Sequence, residues 1–213
     1  MKTAILIYEG LTALDAIGPY EVLQSLPDND VCFVAREKGP VRTDFGKLGL
    51  SADYAISDID SADILLVPGT PHPKAVMGDE VVLEWIRHID STTQWTTSVC
   101  TGALGLGAAG LLQGKRATTH WLALETLRMF GAEPTGQRVV EDGKVITAAG
   151  VSAGIDMALT LASKLYDDET AQRIQLVIEY DPEPPFHAGS PDKASPQMVE
   201  ALREEFGAQL SST

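Results

Sequence analysis

The chain has 213 residues, 44% hydrophobic and 22% charged, an ordinary globular mix that suits one α/β domain with a sizeable core. A formal net charge of -14 argues against nucleic-acid binding, which needs clustered Lys and Arg to meet the phosphates. Two cysteines, Cys32 and Cys100, with no CxxC pair, exclude a disulfide framework and point to a reducing, cytoplasmic setting.

The N-terminal MKTAILIYEG has one Lys and a short apolar run before Glu9, which predicts a first strand over 4–8 rather than a signal peptide. No window approaches the roughly 20 apolar residues of a membrane span. Residues 9–14 loop to Asp15, and Gly18-Pro19 is expected to open a helix through Gln24. Val31 to Ala35 reads as a second strand, with Cys32 packed in the core. Residues 38–56, Gly-rich and alternating, read as one or two short edge strands. Asp63 to Val67 is a central strand ending in Pro68-Gly69-Thr70. Residues 79–89 place Val82, Leu83, Ile86 and Ile89 on one helical face.

Trp95 to Leu112 is the stretch on which the rest turns. Trp95 to Val99 is β-branched and aromatic, a buried strand, and Gly, Ala and Leu follow at helical spacing. Cys100 therefore falls at a sharp strand-to-helix turn, with Gly102 behind it to let backbones pass closely. This is the layout of a nucleophile elbow with Cys in place of Ser, above the carboxyl ends of the strands. A helix N-terminus there is expected to lower the thiol pKa from about 8.5 toward roughly 3.5–7.5. The alternative is a buried Cys packed at the start of a Gly/Ala helix.

Beyond Leu112, a turn at 113–115 leads to Ala117-Thr118-Thr119-His120-Trp121, and 122–130 reads as a helix stopped by Gly131. Val139-Val140 and Val145-Ile146-Thr147 flank Asp142-Gly143, a hairpin signal. Helices are expected over 152–166, 168–179 and about 195–210. Asp181-Pro182-Glu183-Pro184-Pro185-Phe186 must be an extended surface segment. Strands alternating with helices, with no repeat or second domain, predict a three-layer α/β sandwich with a mostly parallel sheet.

Turnover at a thiolate needs a proton carrier and an anion stabiliser. Asp15, after the first strand and at the same sheet edge as Cys100, is the leading acid/base candidate; its alternative is a helix N-cap. Glu21 competes from the helix body. His120 is either a general base in a Cys–His pair or a histidine packed beside Trp121. The N–H groups of Thr70 and Thr101 are candidates to converge on charge beside Cys100, unless Pro68-Gly69-Thr70 is an ordinary tight turn. His72, His88 and His187 have no metal-ligand spacing, and no nucleotide or flavin motif occurs, so no metal or cofactor is expected.

The segments Asp15–Leu23 (DAIGPYEVL), Val67-Pro68-Gly69-Thr70, Ser98–Ala103 (SVCTGA), Ala117–Trp121 (ATTHW), Gly150–Asp156 (GVSAGID) and Glu179–Phe186 (EYDPEPPF) occur in that order. Together they resemble the ThiJ/PfpI superfamily, with its class I glutamine amidotransferase-like fold, over nearly the whole chain. The narrower likeness is to its isonitrile-hydrating members. That resemblance implies hydration of R–N≡C to an N-substituted formamide, with Cys100 attacking the terminal carbon through a thioimidate. Asp15 would act as acid and then base, and Thr101 would orient substrate or water. Gly69 and Thr70 would complete a polar cradle with His120, and Asp181 would reach the site or only anchor the tail. A homodimer and a small-molecule substrate are expected on the same ground.

Family members with helix-turn-helix tails are transcription regulators; the chain closes before such a tail, so a regulator is not expected. Thr101, where peptidase-like members carry His, counts against peptidase chemistry. Asp15, where deglycase-like members carry Glu, and Thr70, where many carry Gly, make substrate identity the open point. Glyoxalase III-like or deglycase-like action on 2-oxoaldehydes is one alternative. A non-enzymatic thiol redox sensor is the other.

Overall fold

A computed structural model describes residues 1–211. The strands are β1 (Lys2–Leu6), β2 (Asp30–Ala35), β3 (Gly39–Arg42), β4 (Gly49–Ala52), β5 (Tyr54–Ala55), β6 (Ile64–Val67), β7 (Trp95–Val99), β8 (Arg116–Ala117), β9 (Glu133–Pro134), β10 (Val139–Asp142) and β11 (Val145–Ala148). The helices are α1 (Ala13–Leu23), α2 (Lys74–Met77), α3 (Glu80–Asp90), α4 (Gly102–Ala108), α5 (Ala153–Leu165), α6 (Asp168–Val177) and α7 (Pro196–Ser211).

β6 is apolar throughout, and β1 from Ala4 onward, because both faces of the sheet are covered. Ala4, Leu6, Leu65 and Val67 face one layer, with Val82, Leu83 and Ile86 of α3 and Ala103, Leu104 and Leu106 of α4. Ile5, Ile64 and Leu66 face the other, with Val22 and Leu23 of α1, Met157 and Leu161 of α5, and Ile174 of α6. The result is a three-layer sandwich around a seven-stranded sheet in the order β10-β11-β7-β6-β1-β2-β5. All its pairings are parallel except β10 against β11, the hairpin that turns at Gly143. From β1 the chain steps to β2 on one side and later returns to β6 on the other. The β1/β6 boundary is therefore the topological switch point, where open α/β sheets leave a crevice at the strands' carboxyl ends.

Three expectations need correction. Pro19 does not open α1: the helix starts at Ala13 and carries Pro19 inside. Proline is tolerated there at the cost of one backbone bond, since it has no N–H to offer the Asp15 carbonyl. Trp121–Phe130 winds as a 3-10 helix rather than an α-helix, ending at Gly131 with φ 69°. Apolar spacing over ten residues does not separate a period of 3.0 from one of 3.6. The helix after Cys100 ends at Ala108 instead of Leu112, followed by Gly110 at φ 82°. The 38–56 region holds the β3–β4 hairpin, a sheet of its own, and the edge strand β5. Residues 181–189 are extended and exposed, as their prolines require.

Candidate active site

Turns after β1, β6, β7 and β11 converge beside the switch point. Cys100 leaves β7 at φ 56°, in the left-handed region that disfavours side chains, and α4 begins at Gly102. Three bonds hold the strained backbone. The Cys100 N–H reaches the carbonyls of Ala148 and Ala149, each at 3.1 Å, and its own carbonyl accepts the Thr119 hydroxyl at 2.7 Å. A Cβ on Gly102 would lie 2.1 Å from the Val67 carbonyl oxygen, so glycine alone lets α4 start this close to β6.

Asp15 lies in the first turn of α1, fully buried. Its Oδ2 accepts the Gly69 N–H at 2.9 Å, while Oδ1 has no N–H or O–H partner. Gly69 is closed in on the other side as well: a Cβ there would come within 2.5 Å of the Thr101 nitrogen. Asp15 is not an N-cap. Thr12 holds that position, and its hydroxyl donates instead to Asp44 Oδ2 at 3.1 Å.

Burial is the largest influence on both reactive groups. It raises the Asp15 carboxyl to about 7 against the opposing pull of the Gly69 N–H and the Cys100 thiol, with Asp44 adding a smaller upward push. It also pushes the Cys100 thiol well up, helped by the Asp15 charge; the N–H groups of Thr101 and Val151 at the sulfur act against this without reversing it. The expected thiol depression is thus overturned. The helix is only seven residues long, and its N-terminal field does not overcome desolvation plus a neighbouring carboxylate. Tyr8, whose hydroxyl donates to the Pro68 carbonyl at 2.6 Å, is raised by burial and then by the Asp15 and Cys100 charges.

The expected backbone cradle is also corrected. The Gly69 N–H is taken by Asp15, and the Thr70 N–H is taken by the Thr101 hydroxyl at 2.8 Å. That hydroxyl donates in turn to the Thr70 carbonyl at 2.6 Å, so Thr101 meets the reacting region through its N–H and not through Oγ1. The Thr70 side chain points away, donating to the Gly10 carbonyl at 2.7 Å. The N–H groups that do meet the sulfur belong to Thr101 and Val151.

Cys100, Thr70, Thr101 and His120 line one cavity of about 330 Å³. Asp15 and Gly69 lie behind the thiol and outside that lining, as does Asp181, exposed in the extended segment after α6. Burial lowers the His120 pKa, and Nδ1 accepts the Leu122 N–H at 3.4 Å, which leaves a neutral ring with its proton on Nε2. Sequence reasoning missed Val151, which carries φ 32° on a β-branched residue. It also missed Thr12 and Asp44 in the lining, and Leu202 and Phe206 of α7. The GVSAG segment was the available signal for Val151; nothing local marks the others. Among the described residues, no group of three His, Cys, Asp or Glu side chains is arranged to hold a metal ion.

A model of the DJ-1/PfpI family matches residues 1–164. Isonitrile hydratase of Pseudomonas putida is 44% identical over 210 residues, 99% of this chain and 92% of that protein. A deglycase of Thermococcus kodakarensis is 26% identical over 152 residues, 70% of this chain and 89% of that protein. The crystal structure of a ThiJ/PfpI family protein from Pseudomonas syringae superimposes with a TM-score of 0.94 at 37% identity, covering 99% of this chain and 89% of that one.

Proposed function

The chain belongs to the DJ-1/PfpI family, and on that premise we propose that it is an isonitrile hydratase-like enzyme, converting R–N≡C and water to the N-substituted formamide. The observation that carries this reading is the pairing of Cys100, open to the cavity, with a carboxyl behind it held near neutrality at about 7. Identity to the Pseudomonas putida enzyme along almost the whole chain supports it.

In this reading the pair works with one shared proton. Asp15 takes the thiol proton, and Cys100 Sγ bonds to the terminal isonitrile carbon. Asp15 is hydrogen-bonded to the sulfur, and in this reading the same carboxyl returns the proton to the carbon that joins it. The product of this half is the thioimidate R–N=CH–S–Cys100. Asp15, now ionised, takes a proton from water as its oxygen adds to that carbon, then supplies the proton that the substrate nitrogen needs. As the C–S bond breaks, the hydroxyl proton passes to Asp15 and on to the departing Sγ, leaving R–NH–CHO and restoring the Cys100 thiol beside an ionised Asp15; one water has been consumed. The N–H groups of Thr101 and Val151 stabilise the sulfur whenever it carries charge. A carboxyl near 7 suits both directions, since a group titrating at the working pH gives and takes protons with little bias.

The test is product analysis with cyclohexyl isocyanide and an aryl isocyanide, alongside methylglyoxal without glutathione. Formamide from the isonitriles supports the reading. Consumption of methylglyoxal with no formamide would replace it with 2-oxoaldehyde chemistry.

A further inference from the structure

The family match ends at residue 164, yet the cavity does not. Two of its lining residues, Leu202 and Phe206, come from α7, one helical turn apart and therefore on one face. They belong to the chain added after the family core.

The connection between core and α7 is anchored at both ends. The Tyr180 hydroxyl donates to Asp156 Oδ2 at 3.1 Å, the same oxygen that accepts two bonds from Arg138. At the other end the Arg203 guanidinium lies 5.9 Å from the Trp121 ring centroid, and Trp121 itself lines the cavity. The residues between, 181–189, are exposed and run across the surface without secondary structure. The segment thus carries α7 to the cavity and sets it against Trp121.

The lining combines two chemistries. Cys100 and Thr101 bring the sulfur and the N–H groups, with Thr12 and Asp44 adding polar side chains; Trp121, Leu122, Leu202 and Phe206 bring apolar surface. A volume of about 330 Å³ suits a small molecule with one reactive terminus and one compact apolar body. We propose that α7 is the specificity wall of the site, with Leu202 and Phe206 seating a cycloalkyl or aryl substituent while the reactive carbon meets Cys100. This rests on the isonitrile reading for the identity of the reactive end. The wall's preference for an apolar body does not.

The experiment separates the two. Rates of Cys100 modification by N-cyclohexylmaleimide and N-methylmaleimide give a selectivity ratio that needs no turnover. Cys32, 4% exposed in the core, serves as the internal control by peptide mapping. Leu202→Ala and Phe206→Ala should each lower the cyclohexyl-to-methyl ratio by about 10-fold or more, while Phe206→Leu keeps most of it. With isonitriles, kcat/KM for cyclohexyl isocyanide should fall by the same factor and that for methyl isocyanide by less than about threefold. A ratio that falls without any formamide from wild type keeps the wall and rejects the reaction. An unchanged ratio in variants with wild-type melting temperature overturns the wall, whatever the isonitrile result. A change shared equally by both maleimides, as a misfolded variant would give, also overturns it if Phe206→Leu shows the same change.

Discussion

Thr101 Oγ1 accepts the Thr70 N–H at 2.8 Å and donates to the Thr70 carbonyl at 2.6 Å, closing the turn after β6 onto the turn after β7. Both residues are almost wholly buried, so these bonds are made where few water contacts can substitute for them. Thr101→Val keeps the shape but leaves a buried N–H and a buried carbonyl unpaired, which should cost about 2–4 kcal/mol. Thr101→Ser keeps the hydroxyl and should lose less than about 1 kcal/mol. Urea unfolding of the two variants beside wild type measures the difference. In assays, Thr101→Ser should retain most turnover, since the contribution at the sulfur is the backbone N–H.

The Asp15 carboxyl titrates near 7 in the folded chain and near 3.8 when free of it. The folded state therefore binds the extra proton between those values. Its contribution to stability is fully present below about pH 4 and is lost as pH rises through about 7. Three units correspond to about 4 kcal/mol. Asp15→Asn, a neutral mimic of the protonated acid, should be closest to wild type near pH 4 and gain on it by up to about 4 kcal/mol at pH 8. Denaturant unfolding at both pH values checks this.

The same titration should govern the rate. Free enzyme needs Asp15 ionised to accept the thiol proton, so kcat/KM should rise with pH through about 7. His120 is held neutral by burial, with Nδ1 on the Leu122 N–H. His120→Gln should therefore leave that rise in place, even if the rate drops. Asp15→Asn should lower kcat/KM by about 10²–10⁴-fold and flatten the profile. A rise that vanishes in His120→Gln would assign the base to His120 instead.

The centre of the sheet was legible because β6 is buried on both faces and reads as an unbroken apolar run, Ile64–Val67. The position of Cys100 was legible for a related reason: a β-branched strand followed at once by Gly and Ala leaves only a tight turn between them. The titration of its thiol was not legible. Local sequence shows the helix that follows but not the apolar layer and the Asp15 charge, brought from 85 positions earlier in the chain. Partner choice was hidden in the same way. That the Gly69 N–H goes to Asp15 and the Thr70 N–H to Thr101 depends on three turns meeting in space. The apolar wall was hidden because α7 has no strong amphipathic stripe, and its role comes from where residues 181–189 carry it.

The most direct test is rapid quenching of wild-type enzyme and Cys100→Ala with cyclohexyl isocyanide, followed by peptide mass mapping. The account predicts a transient adduct on Cys100 whose mass gain equals one isonitrile, with no added water, decaying as cyclohexylformamide appears; Cys100→Ala should show neither. Formamide formed by Cys100→Ala at the wild-type rate, or formed by wild type with no adduct at any quench time, would contradict a covalent route through this thiol.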